Sequence, residues 1–313
     1  MPLKSSVSRL KAVADATRVR LLLLLARGEA TVGELQGILE QSQPRVSRHL
    51  RVLAEADLVE RFRDGQSVYY RLARDPFAQQ IASLLSDQAG HHDTPLQADA
   101  IALERVLGAR RKAAHRAPAL VAAAKSGARP APDELEATLE ELLGDIEFSD
   151  VLDIGCGGGG LLAWLAARAD NVTGADTARE MRLLARARTQ ADELSNCTVR
   201  AADLHALPFP GQSFDLVVLD EVLGTSADLP QALGEARRVL RTSGRLLILD
   251  RVDPAVRQLA EGAAGLAENQ LNAALAEAGL RVKGRSWLPG RALDYAAFTA
   301  LPVAPALRTG TDG

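Results

Sequence analysis

Cysteine is nearly absent from this sequence. Cys156 and Cys197 are the only two thiols in 313 residues, and two isolated positions make neither a disulfide framework nor the paired spacing of a zinc site. No metal centre is expected, and His91-His92-Asp93 is read as part of a polar hinge over residues 87–95. Aromatic residues amount to 4%, few for a site that must shape a flat organic substrate. Long apolar runs are missing too. The longest aliphatic stretch, Leu21–Ala26, is far too short to span a bilayer, and no signal-peptide pattern opens the chain. A cytoplasmic protein with no membrane partner is expected, and no internal repeat is visible. The net charge of -3 is mild but uneven. Residues 1–80 hold thirteen Lys/Arg against nine Asp/Glu, which leaves an acidic remainder. A basic head on an acidic body suggests that only the head meets a polyanion. At this length two domains are the default, and 47% hydrophobic residues suffice for ordinary cores.

What the chain does have is a glycine cluster. Val151-Leu-Asp-Ile154 is strand-like, the run from Gly155 to Gly160 follows with Cys156 inside it, and residues 161–168 are amphipathic. Strand, tight turn and helix is the reading. Gly155, Gly157 and Gly159 let the backbone turn sharply and let a ligand lie against it. The helix start then points unpaired N–H groups at that ligand. Gly155, Gly157 and Gly160 also satisfy the dinucleotide pattern, so the glycines alone leave the nucleotide open. Asp153, two residues ahead of the first glycine, leans the choice. A carboxylate at the mouth of the loop would repel a pyrophosphate and suits an ammonium group.

Beyond the loop, short apolar runs alternate with helical stretches. Val151–Ile154, Val172–Ala175, Thr198–Ala201, Leu216–Leu219 and Leu246–Leu249 read as buried parallel strands. Helical patterns fall around 161–168, 178–194 and 228–241. This is the pattern of a doubly wound α/β sheet with its ligand at the carboxyl ends of the strands. Asp153, Asp176, Asp203, Asp220 and Asp250 sit at those ends. Asp176 follows the loop by about twenty residues, the usual reach to a ribose diol. Asn269–Gly279 reads as a helix, with Leu280–Trp287 and Asp294–Ala300 as an antiparallel closing hairpin.

The motif Asp153, Gly155, Gly157, Gly159 resembles the first motif of class I methyltransferases that use S-adenosylmethionine (SAM). Ala206-Leu-Pro-Phe209, Ser213-Phe-Asp-Leu-Val217 and Glu235-Ala-Arg-Arg-Val-Leu-Arg241 with Gly244 extend the resemblance over about residues 150–250. It implies a Rossmann-like fold that binds SAM or S-adenosylhomocysteine (SAH). The implied binding set is Asp153, Gly155, Cys156, Gly157, Gly159, Asp176, Thr177, Met181, Asp203, Leu204, Asp220 and Glu221. Asp153 would serve the amino-acid end, Asp176 the ribose and Asp203-Leu204 the adenine edge. His205 is the one imidazole nearby, as a structural group or as a general base.

The first eighty residues carry a different pattern. Two helical segments flank Asp15-Ala-Thr-Arg18, and the second, 19–27, is apolar nearly all round, as the centre of a small helical domain should be. Thr31 and Glu34 form a capping box for a helix over Val32–Leu39. Ser42 is placed to cap a longer helix, Gln43–Ala56, with Pro44 in its first turn. Val46, Leu50 and Leu53 make its inward stripe. Leu58–Arg63 and Ser67–Leu72, joined by Asp64-Gly65-Gln66, read as a β-hairpin. Helix, turn, helix and hairpin make a winged helix-turn-helix. Its second helix and wing offer Ser42, Gln43, Arg45, Ser47, Arg48, His49, Arg51, Arg61, Arg63, Gln66 and Tyr69 to duplex DNA. His49 fits a structural role equally well. Residues 5–85 resemble the arsenic-repressor (ArsR/SmtB) family of bacterial regulators, which implies a homodimer on a double-stranded operator, built through helices near 4–15 and 75–90. Metal-sensing members carry a cysteine pair where this chain has Thr31-Val-Gly-Glu-Leu-Gln36, so soft-metal sensing is not expected.

The expected layout is a winged-helix DNA-binding and dimerisation domain over 1–90, a helical linker over 91–145, a SAM/SAH-binding domain over 146–303 and a disordered tail over 304–313. Within the linker, 96–125 and 133–143 have helical patterns. The combination resembles bacterial repressors whose methyltransferase-like domain senses SAH, with methionine-cycle genes as targets in some of them. A transcriptional regulator that senses SAM or SAH as effector is the preferred reading. An active SAM-dependent methyltransferase with a fused regulator is the alternative. An NAD(H)-sensing repressor is the third, with Asp153 against it. Residues 113–135, ahead of the first motif, hold no aromatic residue, Thr242-Ser243-Gly244 replaces the usual Pro-Gly, and no acid/base dyad for a methyl acceptor is evident. Catalytic residues are therefore left unassigned.

Overall fold

The computed structural model describes residues 3–88, 94–115, 132–144, 146–253, 266–288 and 294–303. The expected hinge histidines and the expected C-terminal tail lie outside these residues. The chain divides into two compact units. One comprises residues 1–117 with 183–200, the other 118–182 with 201–313.

The first unit opens with α1 (Leu3–Val13), α2 (Ala16–Ala26), β1 (Ala30–Thr31), α3 (Val32–Leu39) and α4 (Gln43–Glu55). The hairpin β2 (Val59–Asp64) and β3 (Ser67–Leu72) follows, then α5 (Pro76–Gln88) and α6 (Thr94–His115). Asp15 caps α2 by accepting from the Arg18 N–H at 3.1 Å. Leu21, Leu22, Leu24 and Leu25 of α2 are buried, so this apolar helix is the centre of the unit. The Thr31–Glu34 capping box forms as the sequence requires. Ser42 stands at the N-cap of α4 but makes no side-chain cap bond, while Val46, Leu50 and Leu53 are buried as expected. In the hairpin, Asp64 pairs with Ser67, leaving a two-residue turn of Gly65 and Gln66 with Gly65 at φ +60°.

Helix α6 belongs to this core. Leu103 and Leu107 are buried with the leucines of α2. Asp99, 2% exposed, pairs with Arg20 at 2.5 Å. Arg110 pairs with Glu34 at 2.6 Å and donates to the Glu29 carbonyl. Residues 116–125 of the expected helix fall outside the described residues.

The second unit contributes α7 (Pro132–Leu143), β4 (Phe148–Ile154), α8 (Leu162–Ala166), β5 (Ala169–Asp176), β7 (Phe214–Asp220), a 3₁₀ turn (Leu223–Thr225) and α10 (Leu229–Val239). After these come β8 (Leu240–Asp253), β9 (Leu266–Ala267), α11 (Glu268–Glu277), β10 (Leu280–Leu288) and β11 (Asp294–Pro302). Helix α9 (Arg179–Ala191) begins in this unit, and β6 (Cys197–Ala201) lies in the 183–200 segment. The strand order is β10-β11-β8-β7-β4-β5-β6, with β9 beside β8. Strands β4, β5, β7 and β8 run parallel and β10 and β11 antiparallel, the Rossmann-like arrangement with the expected closing hairpin.

Several boundaries differ from the sequence reading, and those around the glycine loop and β8 matter most. The helix after the glycines is only five residues long, because β5 starts at Ala169. The helix expected over 178–194 is shorter and ends at Ala191. The helix expected over 228–241 stops at Val239. Leu240 is already extended and pairs with Phe214, so Thr242 and Ser243 lie inside β8. Gly244 is needed there, since a Cβ would stand 2.7 Å from Leu240 and 3.0 Å from the Asp215 carbonyl.

Glu34 supplies a test of the first unit. Burial alone would raise its pKa, but the Arg110 guanidinium and the Thr31 groups outweigh it and hold the carboxyl below its ordinary 4.5. A depressed acid stabilises the fold above its unfolded pKa and loses that contribution as pH falls through the folded value. Glu34→Gln is therefore expected to cost about 1.5–3 kcal/mol in urea unfolding at pH 7. The gap to the wild type should narrow below pH 4.5. A gap that stays constant to pH 3 contradicts the ion pair.

Candidate functional site

The glycine loop joins β4 to α8 and lies at the carboxyl end of the sheet. Gly155, Gly157 and Gly159 have φ of +79°, +50° and +79°, the left-handed region that disfavours any side chain. At Gly155 a Cβ would also lie 2.2 Å from Val222 Cγ1 and 2.7 Å from the Asp220 carbonyl. That position is forced by the approach of β7. At Gly157 a Cβ would stand in ordinary contact with the Gly155 carbonyl at 3.8 Å, so its φ alone calls for glycine there.

Asp176 organises this loop. One carboxylate oxygen accepts from the Gly157 N–H at 3.0 Å, the other from the Ala178 N–H at 2.7 Å. A carboxylate has about four lone-pair sites, so two remain for a diol. Arg182, 4% exposed, donates to the Asp176 and Thr177 carbonyls at 3.0 and 2.8 Å. Thr177 is exposed and Met181 half-buried at the start of α9. Cys156 is buried, with its Sγ 3.1 Å from where a Gly174 Cβ would be.

Asp153 is placed differently from the sequence reading. It is 0% exposed, inside β4 between Gly174 and Val218, not at the mouth of the loop. Asp220 is buried too and accepts from the Tyr295 hydroxyl at 3.3 Å. Glu221 has φ +52°, an uncommon strain for a side chain of its size, and its N–H donates to the Leu249 carbonyl at 2.7 Å. Asp250 accepts from the Leu223 and Gly224 N–H groups at 3.0 Å each and so fixes the 3₁₀ turn. Burial pushes its carboxyl up despite those bonds.

Asp203 stands beyond β6 with its side chain 62% exposed. It accepts from the His205 N–H at 2.9 Å and lies 3.0 Å from His205 Nδ1, contacts that hold its pKa down. His205 Nε2 is 2.8 Å from Ser226 Oγ. Leu204 is buried in the core. The Asp203–His205–Ser226 chain, Val222 against Gly155 and Tyr295 on Asp220 were missed from sequence. The bonds of His205 to Ser226 and of Tyr295 to Asp220, and the contact of Val222 with Gly155, join residues distant in sequence, which no local pattern announces.

On the first unit, Ser42, Gln43, Arg45, Arg48 and Arg51 are exposed along one side of α4, with Ser47 half-buried. His49 turns to Asp15, with its Nδ1 3.6 Å from the carboxylate. Arg61, Arg63 and Gln66 are exposed on β2 and at the hairpin tip. Tyr69 is 6% exposed, stacked on Phe62 at 5.7 Å and covered by the Arg186 guanidinium at 4.2 Å, so its ring packs the wing. Among the described residues no cluster of His, Cys, Asp and Glu is placed to hold a metal ion. Among the described residues no helix is long and apolar enough to cross a membrane.

Comparison with known proteins agrees with both halves. Residues 15–61 match the bacterial regulatory protein arsR family, and residues 152–248 match a methyltransferase domain. The chain is 56% identical over 63 residues to the arsenic resistance transcriptional regulator ArsR1 of Pseudomonas putida, covering 20% of this chain and 49% of that protein. It is 41% identical over 80 residues to the arsenical resistance operon repressor of Escherichia coli, 25% of this chain and 67% of that repressor. The first curated relatives it matches are spanned over only 28% and 49% of their own lengths. The [4+2]-cyclase SpnF superposes with a TM-score of 0.50 at 20% identity, over 55% of this chain and 82% of that one, a likeness of fold. A winged-helix regulator is thus the class its N-terminal half defines. The chain belongs to the arsR family of bacterial regulatory proteins and carries a methyltransferase domain behind the DNA-binding one.

The loop geometry has a direct test. Gly155→Ala combines a left-handed φ with a 2.2 Å contact and is expected to destabilise the protein by more than about 2 kcal/mol in urea unfolding. Gly160→Ala, exposed and outside the left-handed region, should stay within about 0.5 kcal/mol. Equal stability of the two variants contradicts the assigned role of Gly155.

Proposed function

We propose that this protein is a homodimeric transcriptional repressor whose methyltransferase domain binds SAM or SAH as an effector. The observation that carries the reading is the pairing, in one chain, of an arsR-type head and a glycine loop tied to Asp176. Bound SAM would bring a sulfonium-activated methyl group. It would be held by Gly155, Cys156, Gly157, Gly159, Asp176, Thr177 and Met181, with Asp203, Leu204, Asp220 and Glu221 toward the base and the far end. Asp153, at the carboxyl end of β4 just ahead of the loop, would serve the amino-acid end of the ligand.

For DNA, Arg45, Arg48 and Arg51 recur at every third position and are exposed, as a helix facing a phosphate-lined groove requires. Ser42, free of a capping bond, adds a hydroxyl at the helix start. Arg61, Arg63 and Gln66 extend the contact along the wing. Dimerisation is supported by exposed apolar side chains on α1, where Leu3, Val7 and Leu10 are 80%, 41% and 50% exposed, and by Leu84 of α5 at 55%. Such a stripe is costly to leave in water.

One observation favours methyl transfer as a second reading. With Nδ1–H given to Asp203, His205 Nε2 would carry the lone pair of a general base beside Ser226. Turnover of labelled SAM on a cell extract that disappears in His205→Gln would establish that reading in place of the sensor.

Two outcomes are expected of the sensor reading. Arg45→Ala and Arg48→Ala should each weaken binding to an operator duplex selected from a random pool, and wild-type affinity should fall steeply between 50 and 200 mM salt. Salt-independent binding, or full affinity in both variants, contradicts the DNA face. Asp176→Ala should lose about 10- to 150-fold in SAH affinity by calorimetry, the equivalent of about 1.5–3 kcal/mol, and keep ligand-free DNA binding. Unchanged SAH affinity removes Asp176 from the site.

A further inference from the structure

Helix α9 carries polar side chains at three successive i, i+4 positions, Arg182, Arg186 and Gln190, which share one face of the helix. The first of them, Arg182, holds the carbonyls of Asp176 and Thr177 beside the glycine loop. The second belongs to the compact unit that contains the winged helix. Arg186 is 1% exposed. Its Nε donates to the Glu29 carboxylate, its Nη1 lies 2.7 Å from Asp64 Oδ2 and its Nη2 donates to the Val199 carbonyl at 2.5 Å. Its plane covers the Tyr69 ring at 4.2 Å. Gln190 donates to the Glu29 carbonyl at 3.5 Å.

Asp64 ends the first wing strand and Tyr69 lies on the second, so one guanidinium grips both strands of the hairpin. Neighbours reinforce the grip. Arg200 lies over the Phe62 ring at 4.5 Å, and Arg71 and Arg74 both reach the Thr198 hydroxyl. Strand β2 alternates accordingly: Phe62 and Asp64 are buried while Arg61 and Arg63 are exposed. The side chains that would face DNA are set by the ones that Arg186 and Arg200 hold.

Resting on the sensor reading above, we propose that Arg186 is the positioning residue through which the pocket acts on the DNA-binding wing. Arg182, on the carbonyls of Asp176 and Thr177, and Arg186 lie one turn apart on α9, so a ligand that shifts the first would shift the second. Asp64 and Tyr69 must then follow, because a buried guanidinium does not give up two buried carboxylates without stranding them. The wing is the two-state element that the ligand biases.

Hydrogen exchange on the full-length protein, with SAH as the probe, reads this directly. In the wild type, saturating SAH should change the exchange of the wing amides, residues 59–72, by about tenfold. In Asp64→Asn, which keeps the Arg186–Glu29 pair, SAH should bind within about threefold of wild type by calorimetry while the wing response disappears. Arg186→Lys, which keeps a charge without the planar fork, should behave the same way. A full wing response in both variants overturns the assignment, as does a wild type that binds SAH with no change at the wing. A wild type that does not bind SAH at all sinks the sensor reading itself and this inference with it.

Discussion

The missing Cβ at Gly155 is the constraint on which the carboxyl edge of the sheet depends. Strand β7 comes so close that any other residue would collide with Val222 and with the Asp220 backbone. The chain turns there through three left-handed glycines. Asp176 then fastens the turned loop to the start of α9 with one oxygen on each. The loop is thus held by backbone geometry and one carboxylate. The scarcity of aromatics, which argues against a shaped acceptor site, is no obstacle to holding a nucleoside.

The first unit is held by a different device, buried arginines. Arg9 donates to the Ala56 and Asp57 carbonyls at the end of α4, Arg110 joins α6 to the capping box of α3, and Arg186 joins Glu29 to the wing. Each is 8% exposed or less. Pairs of this kind add little net stability over well-packed apolar groups, but removing one partner strands the others at a cost that grows with their burial. They specify position more than they add stability. That suits a head whose DNA-facing residues must be held in register with one another.

Much of this was legible in the sequence, because it rests on local rules. The inward stripe Val46, Leu50, Leu53, the Thr31–Glu34 capping box and the alternation of apolar strands each follow from spacing within a few residues. The glycine loop and Asp176 were legible for the same reason. Asp153 was assigned to the mouth of the loop because spacing gives its position along the strand but not its depth in the sheet. Tyr69 was assigned to DNA because an aromatic on a hairpin reads as exposed, whereas Arg186, more than a hundred residues away, covers it. The helix after Asp228 was read two residues too long, since only its pairing with Phe214 makes Leu240 extended. In each case a partner distant in sequence decided the outcome, and one sequence does not display such partners.

The central claim is that pocket and head share one equilibrium. Its most direct measurement is the SAH affinity of the full chain in the presence and absence of a saturating operator duplex. Linkage requires that DNA change SAH affinity by the same factor by which SAH changes DNA affinity. The account predicts equal and reciprocal factors, in the range of about 5- to 150-fold typical of allosteric coupling. SAH affinity that is identical with and without operator contradicts it, because a ligand that binds both states equally shifts no population.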